Sequence, residues 1–222
     1  MAEPQPLARR LAAEGIGSFF LFAGVIGSGV MAEALSGGNV AVALLANTLA
    51  TGAILYVKIP MIGPVSGAHF NPAVSGVMVA RGELSGREAA AYGGAQLAGG
   101  LVAVAAVHVM FDLPILQFSA RARAGIGQWT GEAVATFGLI LTILGVVRHR
   151  KEWVAPAVAL YIVAAYWFTS STSFANPAIT IIRSLSDSFA GIAPADVPGF
   201  VVAQVVGAGL GAIVGGWLFG GD

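Results

Sequence analysis

Two tripeptides carry the first readable chemistry, Asn71-Pro72-Ala73 and Asn176-Pro177-Ala178. Asn is a preferred N-cap, Pro suits the first helical position, and Ala is the best helix former. Each tripeptide therefore starts a helix. Each Asn amide also offers N–H donors, and a helix N-terminus adds about half a positive charge. One such tripeptide alone is an ordinary helix start. Here there are two in matching places, and each leads an apolar stretch too short to cross a bilayer. The pattern predicts two half-helices that enter from opposite faces and meet N-terminus to N-terminus. A pore at the meeting point would donate to water or hydroxyl oxygens and repel cations and protons.

The elements that position these half-helices follow from composition. The chain has 222 residues, of which 57% are hydrophobic and 10% charged. Disorder needs a polar, charged chain and is excluded. Eleven basic residues balance eleven acidic ones, so no basic patch speaks for nucleic acid. There is no cysteine, which excludes disulfides and thiolate metal sites. A polytopic helical membrane protein remains. Apolar stretches predict six spans: Leu11 to Leu35, Val40 to Pro60, Glu88 to Phe111, Trp129 to Val147, Trp153 to Thr169 and Val197 to Phe219. Each approaches the roughly 20 residues that cross ~30 Å of hydrocarbon. The short pieces, 71–80 and 177–187, read as re-entrant, since irregular backbone at membrane depth survives only where protein or a water-lined cavity surrounds it.

Eight of the eleven basic residues fall on one side of these spans. Only Arg121, Arg123 and Arg183 fall on the other. The positive-inside rule then makes both termini cytoplasmic. Trp129, Trp153, Trp167 and Trp217 sit near span ends, as interface anchors do. Arg9 and Arg10 before an apolar run imitate a signal peptide, but Glu14 interrupts the run and five spans follow, so the segment reads as retained.

The chain also repeats itself weakly. Glu14 precedes Asn71 by 57 residues, and Glu132 precedes Asn176 by 44. Ala95-Gln96 in the third span matches Ala203-Gln204 in the sixth. Three spans per half, an odd number, turn the second half upside down. The expected organisation is one channel domain, 1–222, of two inverted repeats at about 1–111 and 112–222.

Ser66-Gly67-Ala68-His69-Phe70-Asn71-Pro72-Ala73-Val74 resembles the signature of the aquaporin, or major intrinsic protein, family. The second Asn-Pro-Ala, the two glutamates and the Ala-Gln strings agree with it over nearly the whole chain. The resemblance implies an all-α, right-handed bundle of six transmembrane helices and two half-helices, with one pore per protomer in a homotetramer. It implies that Glu14 and Glu132 are buried and support the loops leading into the half-helices. It also puts His69 on the cytoplasmic side of the pore, where gating is one reading and a pore-lining structural role the other.

The family narrows its pore at four positions. Counted without gaps from the two Asn residues, these are Thr51, Ala164, Ser173 and Ile179. Ile179 replaces the usual arginine, and neither Thr51 nor Ala164 supplies a ring. The expectation is a wide, uncharged constriction for neutral polyol-sized solutes. Phe174 through Asp187 is similar to bacterial aquaglyceroporins linked to arsenic resistance. That resemblance implies water, glycerol-like polyols and trihydroxy metalloids such as arsenous and antimonous acid as solutes, with methylated arsenicals as further candidates. Arg183 follows Ile179 by one helical turn, about 6 Å nearer the extracellular mouth. Two readings stay open for it: a residue that snorkels and neutralises Asp187, or a filter charge displaced outward into the vestibule.

No nucleophile–base constellation, phosphate loop or metal cluster is visible, so neither an enzyme nor a cofactor is expected. His108 and His149 read as solvated, at a span end and in a basic loop. Gly93, Gly94, Gly99 and Gly100 read as sites of close helix contact. The main reading is a passive channel in a bacterial inner membrane, with lipid and small solutes as partners. The alternatives are a water or glycerol facilitator without a metalloid role and a secondary transporter, for which Glu14 and Glu132 are the only candidate coupling acids.

Overall fold

The computed structural model describes residues 5–220. The described residues form eight α-helices and no strand. The helices are α1 (Leu7–Leu35), α2 (Val40–Ser66), α3 (Pro72–Ala80), α4 (Gly86–Met110), α5 (Ile126–His149), α6 (Val154–Phe168), α7 (Pro177–Arg183) and α8 (Val197–Phe219). Both chain ends, assigned to one side from charge, lie outside the described residues.

Five helices are long and apolar enough to cross a membrane: α1, α2, α4, α5 and, counted from Pro194, α8. The fifth expected span, α6, has only 15 residues, or about 22 Å of helix. A 3-10 turn at Lys151–Trp153 precedes it, and an irregular segment carries the chain on to Asn176. The second span, expected to end at Pro60, continues to Ser66 through Pro60 and Pro64. Helices packed in a membrane tolerate such prolines because their neighbours satisfy the freed backbone groups. Helix α7 stops at Arg183, four residues short of the expected end.

Local signals account for the boundaries. The Asn39 side chain caps α2 by accepting from the Ala41 and Val42 amides at 3.1 and 3.3 Å. Ser85 and Glu88 form a reciprocal capping box at α4. Gly67 ends α2 with φ of 92°, a left-handed turn that suits glycine.

Packing follows the same order in the two halves of the chain. Helix α1 lies against α2 and α4, and α5 against α6 and α8, while α2 meets α6 across the middle. The half-helices α3 and α7 each touch α4 and α8, and each other. Two glycines set the closest crossings. A methyl group on Gly99 would overlap the Gly15 carbonyl oxygen, and one on Gly207 would overlap that of Ala133. Gly100 is likewise closed in, by Phe22 and Ile182. Gly93 and Gly94, expected to serve the same purpose, have open space beside them. The neighbouring Tyr92 and Gln96 make the contacts on this stretch of α4, with Arg10, Ser66 and Glu14.

Candidate functional site: the paired half-helices and their cavity

The two Asn side chains hold the half-helices together. Asn71 Oδ1 accepts from the Ala73 amide at 2.9 Å, which caps α3. Asn176 Oδ1 accepts from the amides of Ala178 and Ile179 at 3.0 and 3.3 Å, which caps α7. The amide nitrogens cross over. Asn71 Nδ2 donates to the Ala175 carbonyl and Asn176 Nδ2 to the Phe70 carbonyl, each at 2.7 Å. Each Asn thus closes its own helix and pins the residue just before the other Asn. A primary amide has two N–H bonds, so one per Asn remains for the cavity that both residues line.

The loops ahead of the Asn residues are strained. Ala68, Phe70, Ser173 and Ala175 have φ of 52, 49, 49 and 47°, in the left-handed region unfavourable for residues with a Cβ. Each such residue costs on the order of 1–3 kcal/mol unless its surroundings enforce it. Two buried carboxylates do so. Glu14 accepts from the Ser66 hydroxyl (2.7 Å) and His69 amide (2.9 Å) on one oxygen. Its other oxygen takes the Phe70 amide (2.7 Å) and Gln96 Nε2 (2.8 Å). Glu132 accepts from the amides of Phe174 and Ala175, each at 2.8 Å, and from Gln204 Nε2. The matching Glu and Ala-Gln positions in the sequence thus meet in space.

A cavity of about 660 Å³ runs past this junction. At one mouth, beside the end of α8, it is lined by Arg81, Glu83, Arg148, Lys151 and Gly220. At the other it reaches Ser173, Ile179 and Arg183. The first is the near mouth and the second the far mouth. His69 lines the cavity, with Nδ1 3.0 Å from the Ser75 hydroxyl. That hydroxyl also donates to the Asn71 carbonyl at 3.3 Å, which links His69 to the start of α3.

Of the four positions counted for the constriction, Thr51, Ser173 and Ile179 line the cavity. Ala164 does not. It is exposed on the outer side of α6, and Tyr166 lines the cavity instead. The cavity face of α6 carries Val158, Ile162 and Tyr166, each one turn apart, and Ala164 lies two residues from the last two, a rotation of about 200° that puts it on the opposite face. The expectation of a constriction without a ring is corrected accordingly. The buried Tyr166 hydroxyl lies 3.2 Å from Thr51 Oγ1, which itself donates to the Asn47 carbonyl at 2.9 Å. Tyr166 therefore donates to Thr51 and is held in place. The Ser173 hydroxyl is buried and has no partner among the described residues.

Arg183 neither snorkels nor neutralises Asp187. It is only 2% exposed, its Nε donates to the Ala190 carbonyl, and its guanidinium lies 3.3 Å from the centre of the Phe174 ring. The chain leaves the helix after Arg183, so the one-turn spacing to Asp187 is lost. Asp187 instead accepts from the Ala120 amide at 2.9 Å. His108, expected in solvent, is fully buried, with Nδ1 2.9 Å from the Ile115 carbonyl and Nε2 3.1 Å from the Ser186 hydroxyl. It ties the segment after α4 to the turn after α7. His149 is exposed as expected.

Apolar helices around a cavity that passes between two paired half-helices define a polytopic membrane channel. The chain belongs to the major intrinsic protein family, whose model, "Major intrinsic protein", matches residues 1–169. It is 52% identical over 212 residues to aquaglyceroporin AqpS of Rhizobium meliloti (strain 1021), covering 96% of this chain and 91% of that protein. It is 30% identical over 223 residues to aquaporin NIP1-3 of Oryza sativa subsp. japonica, covering 96% and 73%. The X-ray structure of the aquaglyceroporin from Plasmodium falciparum superposes with a TM-score of 0.70 over 96% of both chains, at 22% identity, a likeness of fold. With channels as its relatives, the chain is not an enzyme.

Proposed function

We propose that this protein is a passive channel of aquaglyceroporin type for small uncharged solutes: water, glycerol-like polyols and trihydroxy metalloids such as arsenous and antimonous acid. The cavity lining carries this reading. Two Asn amides and the small Ser173 line a path in which Ile179 stands where many relatives of the family would place an arginine. Hydroxyl-bearing solutes meet amide donors there, while the half-helix N-termini disfavour cations. The relative named as an aquaglyceroporin, 52% identical, supports the solute class. A secondary transporter needs a buried acid that changes state. Glu14 and Glu132 are both occupied by backbone amides and glutamines, which argues against coupling through either.

The basic near mouth is read as cytoplasmic by the charge rule, with the protein in a bacterial inner membrane as a homotetramer of inverted-repeat protomers. Stopped-flow measurements on proteoliposomes test the function with water, glycerol and arsenous acid in turn. Non-saturating flux of glycerol and arsenous acid, independent of proton or sodium gradients, is the expected result. Fast water flux with glycerol and arsenous acid both excluded would refute it, and glycerol flux without arsenous acid would remove the metalloid role alone.

A further inference from the structure

We propose that the far vestibule is a binding site for a small free oxyanion, such as a carboxylate or phosphate, held at the pore entrance by the guanidinium groups of Arg121, Arg123 and Arg183. This goes beyond the neutral-solute reading and rests on different side chains. A second cavity, of about 250 Å³, adjoins the first at the far mouth. Its lining includes these three arginines with Asn47, Gln128 and Thr172, and no carboxylate. Arg183 lines both cavities, so this one side chain borders the vestibule and the pore alike.

The backbone brings the three together for definite reasons. Arg121 and Arg123 lie two apart in a segment without helix, and in extended chain such residues share a side. That segment is fastened at both ends. The Ser119 amide donates to the Ser184 carbonyl at 2.9 Å, and the Ala193 amide to the Arg121 carbonyl at 2.7 Å. Arg183, at the end of α7, joins them from the other wall. Aromatic rings then fix the guanidiniums. Arg123 and Arg183 lie over Phe174 at 5.0 and 3.3 Å, and Arg121 over Phe189 at 5.0 Å.

None of the three forms an ion pair among the described residues. The nearby carboxylates are engaged with backbone amides: Asp187 with Ala120 (2.9 Å), Asp196 with Arg123 (2.7 Å) and Glu33 with Phe189 (2.9 Å). The arginines donate only to neutral oxygens, Arg121 to the Phe189 carbonyl and Arg123 to the Gly191 and Ser171 carbonyls and the Thr172 hydroxyl. Arg183 spends one N–H on Ala190, and a guanidinium has five. A buried cation without a counter-charge is costly, and planar forks of donors match oxyanions in pairs. Burial and the neighbouring Arg121 push Arg123 down to about 10, so it stays charged at neutral pH. Three cations thus face one cavity whose lining holds no carboxylate, with N–H groups to spare, while Glu132 and the amide-bonded Asp187, Asp196 and Glu33 supply the surrounding negative charge from outside it.

The test is calorimetric titration of the purified full-length protein, in low-chloride buffer, with inorganic phosphate and with acetate. Saturable binding of either anion is expected. Arg121→Gln should weaken it roughly tenfold, the loss of one charge-assisted contact. Arg121→Gln combined with Arg123→Lys should weaken it further. Arg148→Gln at the near mouth should leave it unchanged. Monodisperse elution and an unshifted thermal midpoint show that a variant is folded. Because Arg183 is buried, its Lys variant is compared only if it passes those checks. Dimethyl phosphate, a diester standing for a lipid headgroup, should bind more weakly than phosphate. The proposal is overturned if neither anion binds saturably, if binding survives the double variant or is lost in Arg148→Gln, or if the diester binds best.

Discussion

Replacing Glu132 by Gln isolates what a carboxylate does that a neutral isostere does not. The two oxygens of Glu132 accept from the Phe174 and Ala175 amides, one each, and Gln204 shares the second. A glutamine side chain puts an NH2 group in one of those places. Whichever way it turns, a backbone N–H then faces a donor. Gln204 cannot rescue both amides by rotating, because its Nε2 also donates to Thr180 Oγ1 at 2.8 Å. One orphaned buried N–H costs about 1–3 kcal/mol. Ala175 and Ser173 sit at φ of 47 and 49°, so the loop has strain to release once a clamp goes. Local opening should therefore become easier by about 1–3 kcal/mol, or roughly 5- to 150-fold in exchange rate. Hydrogen exchange on the peptide spanning Ser171 to Asn176 reads this directly, while peptides in α1 and α4 should not change. Glu14→Gln should show the mirror effect around Phe70, because Gln96 Oε1 has no partner and can turn to accept while one backbone N–H stays orphaned. Unchanged protection of Phe174 and Ala175 in Glu132→Gln would refute the argument that the carboxylate holds the strained loop.

Tyr166→Ala should raise flux of polyols larger than glycerol, whereas Ala164→Trp should leave every flux unchanged because that position faces away from the cavity; stopped-flow swelling with a series of polyols checks both. Asn71→Ala removes a helix cap and the bond to the Ala175 carbonyl, so the thermal midpoint should fall by the equivalent of about 2–4 kcal/mol. Gly99→Val forces atoms into the Gly15 carbonyl and should strongly reduce the yield of folded protein, while Gly93→Ala, with open space beside it, should stay within about 0.5 kcal/mol of the parent in thermal unfolding.

The sequence was informative wherever local chemistry and periodicity decide the outcome. The half-helix starts at Asn71 and Asn176 follow from capping and proline preferences alone, and the long spans from apolar length. Glu14 and Glu132 could be marked because a carboxylate inside an apolar run demands partners, although which amides they hold is set by the loop's path. The misplacement of Ala164 has a different origin. Counting residues across an irregular segment carries no information about its length in space, and a two-residue error exchanges the inner and outer faces of a helix. Signals for Tyr166 were present in principle, since its ring carries a hydroxyl that must find a partner if buried. The sequence leaves Arg183 open between an outward-turned residue and a vestibule charge, and reads His108 as solvated, because a lone polar residue near a span end looks the same whether it turns outward or inward. Their burial depends on the segments 113–125 and 184–193, whose tertiary path has no periodic signature.

The crossed Asn bonds also bear on how the chain matures. The partner carbonyl of Asn71 lies 104 residues further along, and Asn176 reaches back 106. While a ribosome is still producing the second half, Asn71 has nothing to clasp, and the Phe70 carbonyl waits without its donor. The first half-helix can form its own cap at that stage but has no means of fixing its depth or tilt. A nascent chain stopped before residue 176 is thus an open clasp, and the permeation path closes around its solute only when synthesis of the second Asn is complete. Insertion into the bilayer and completion of the pore are separate events in the life of this protein, divided by nearly half its length.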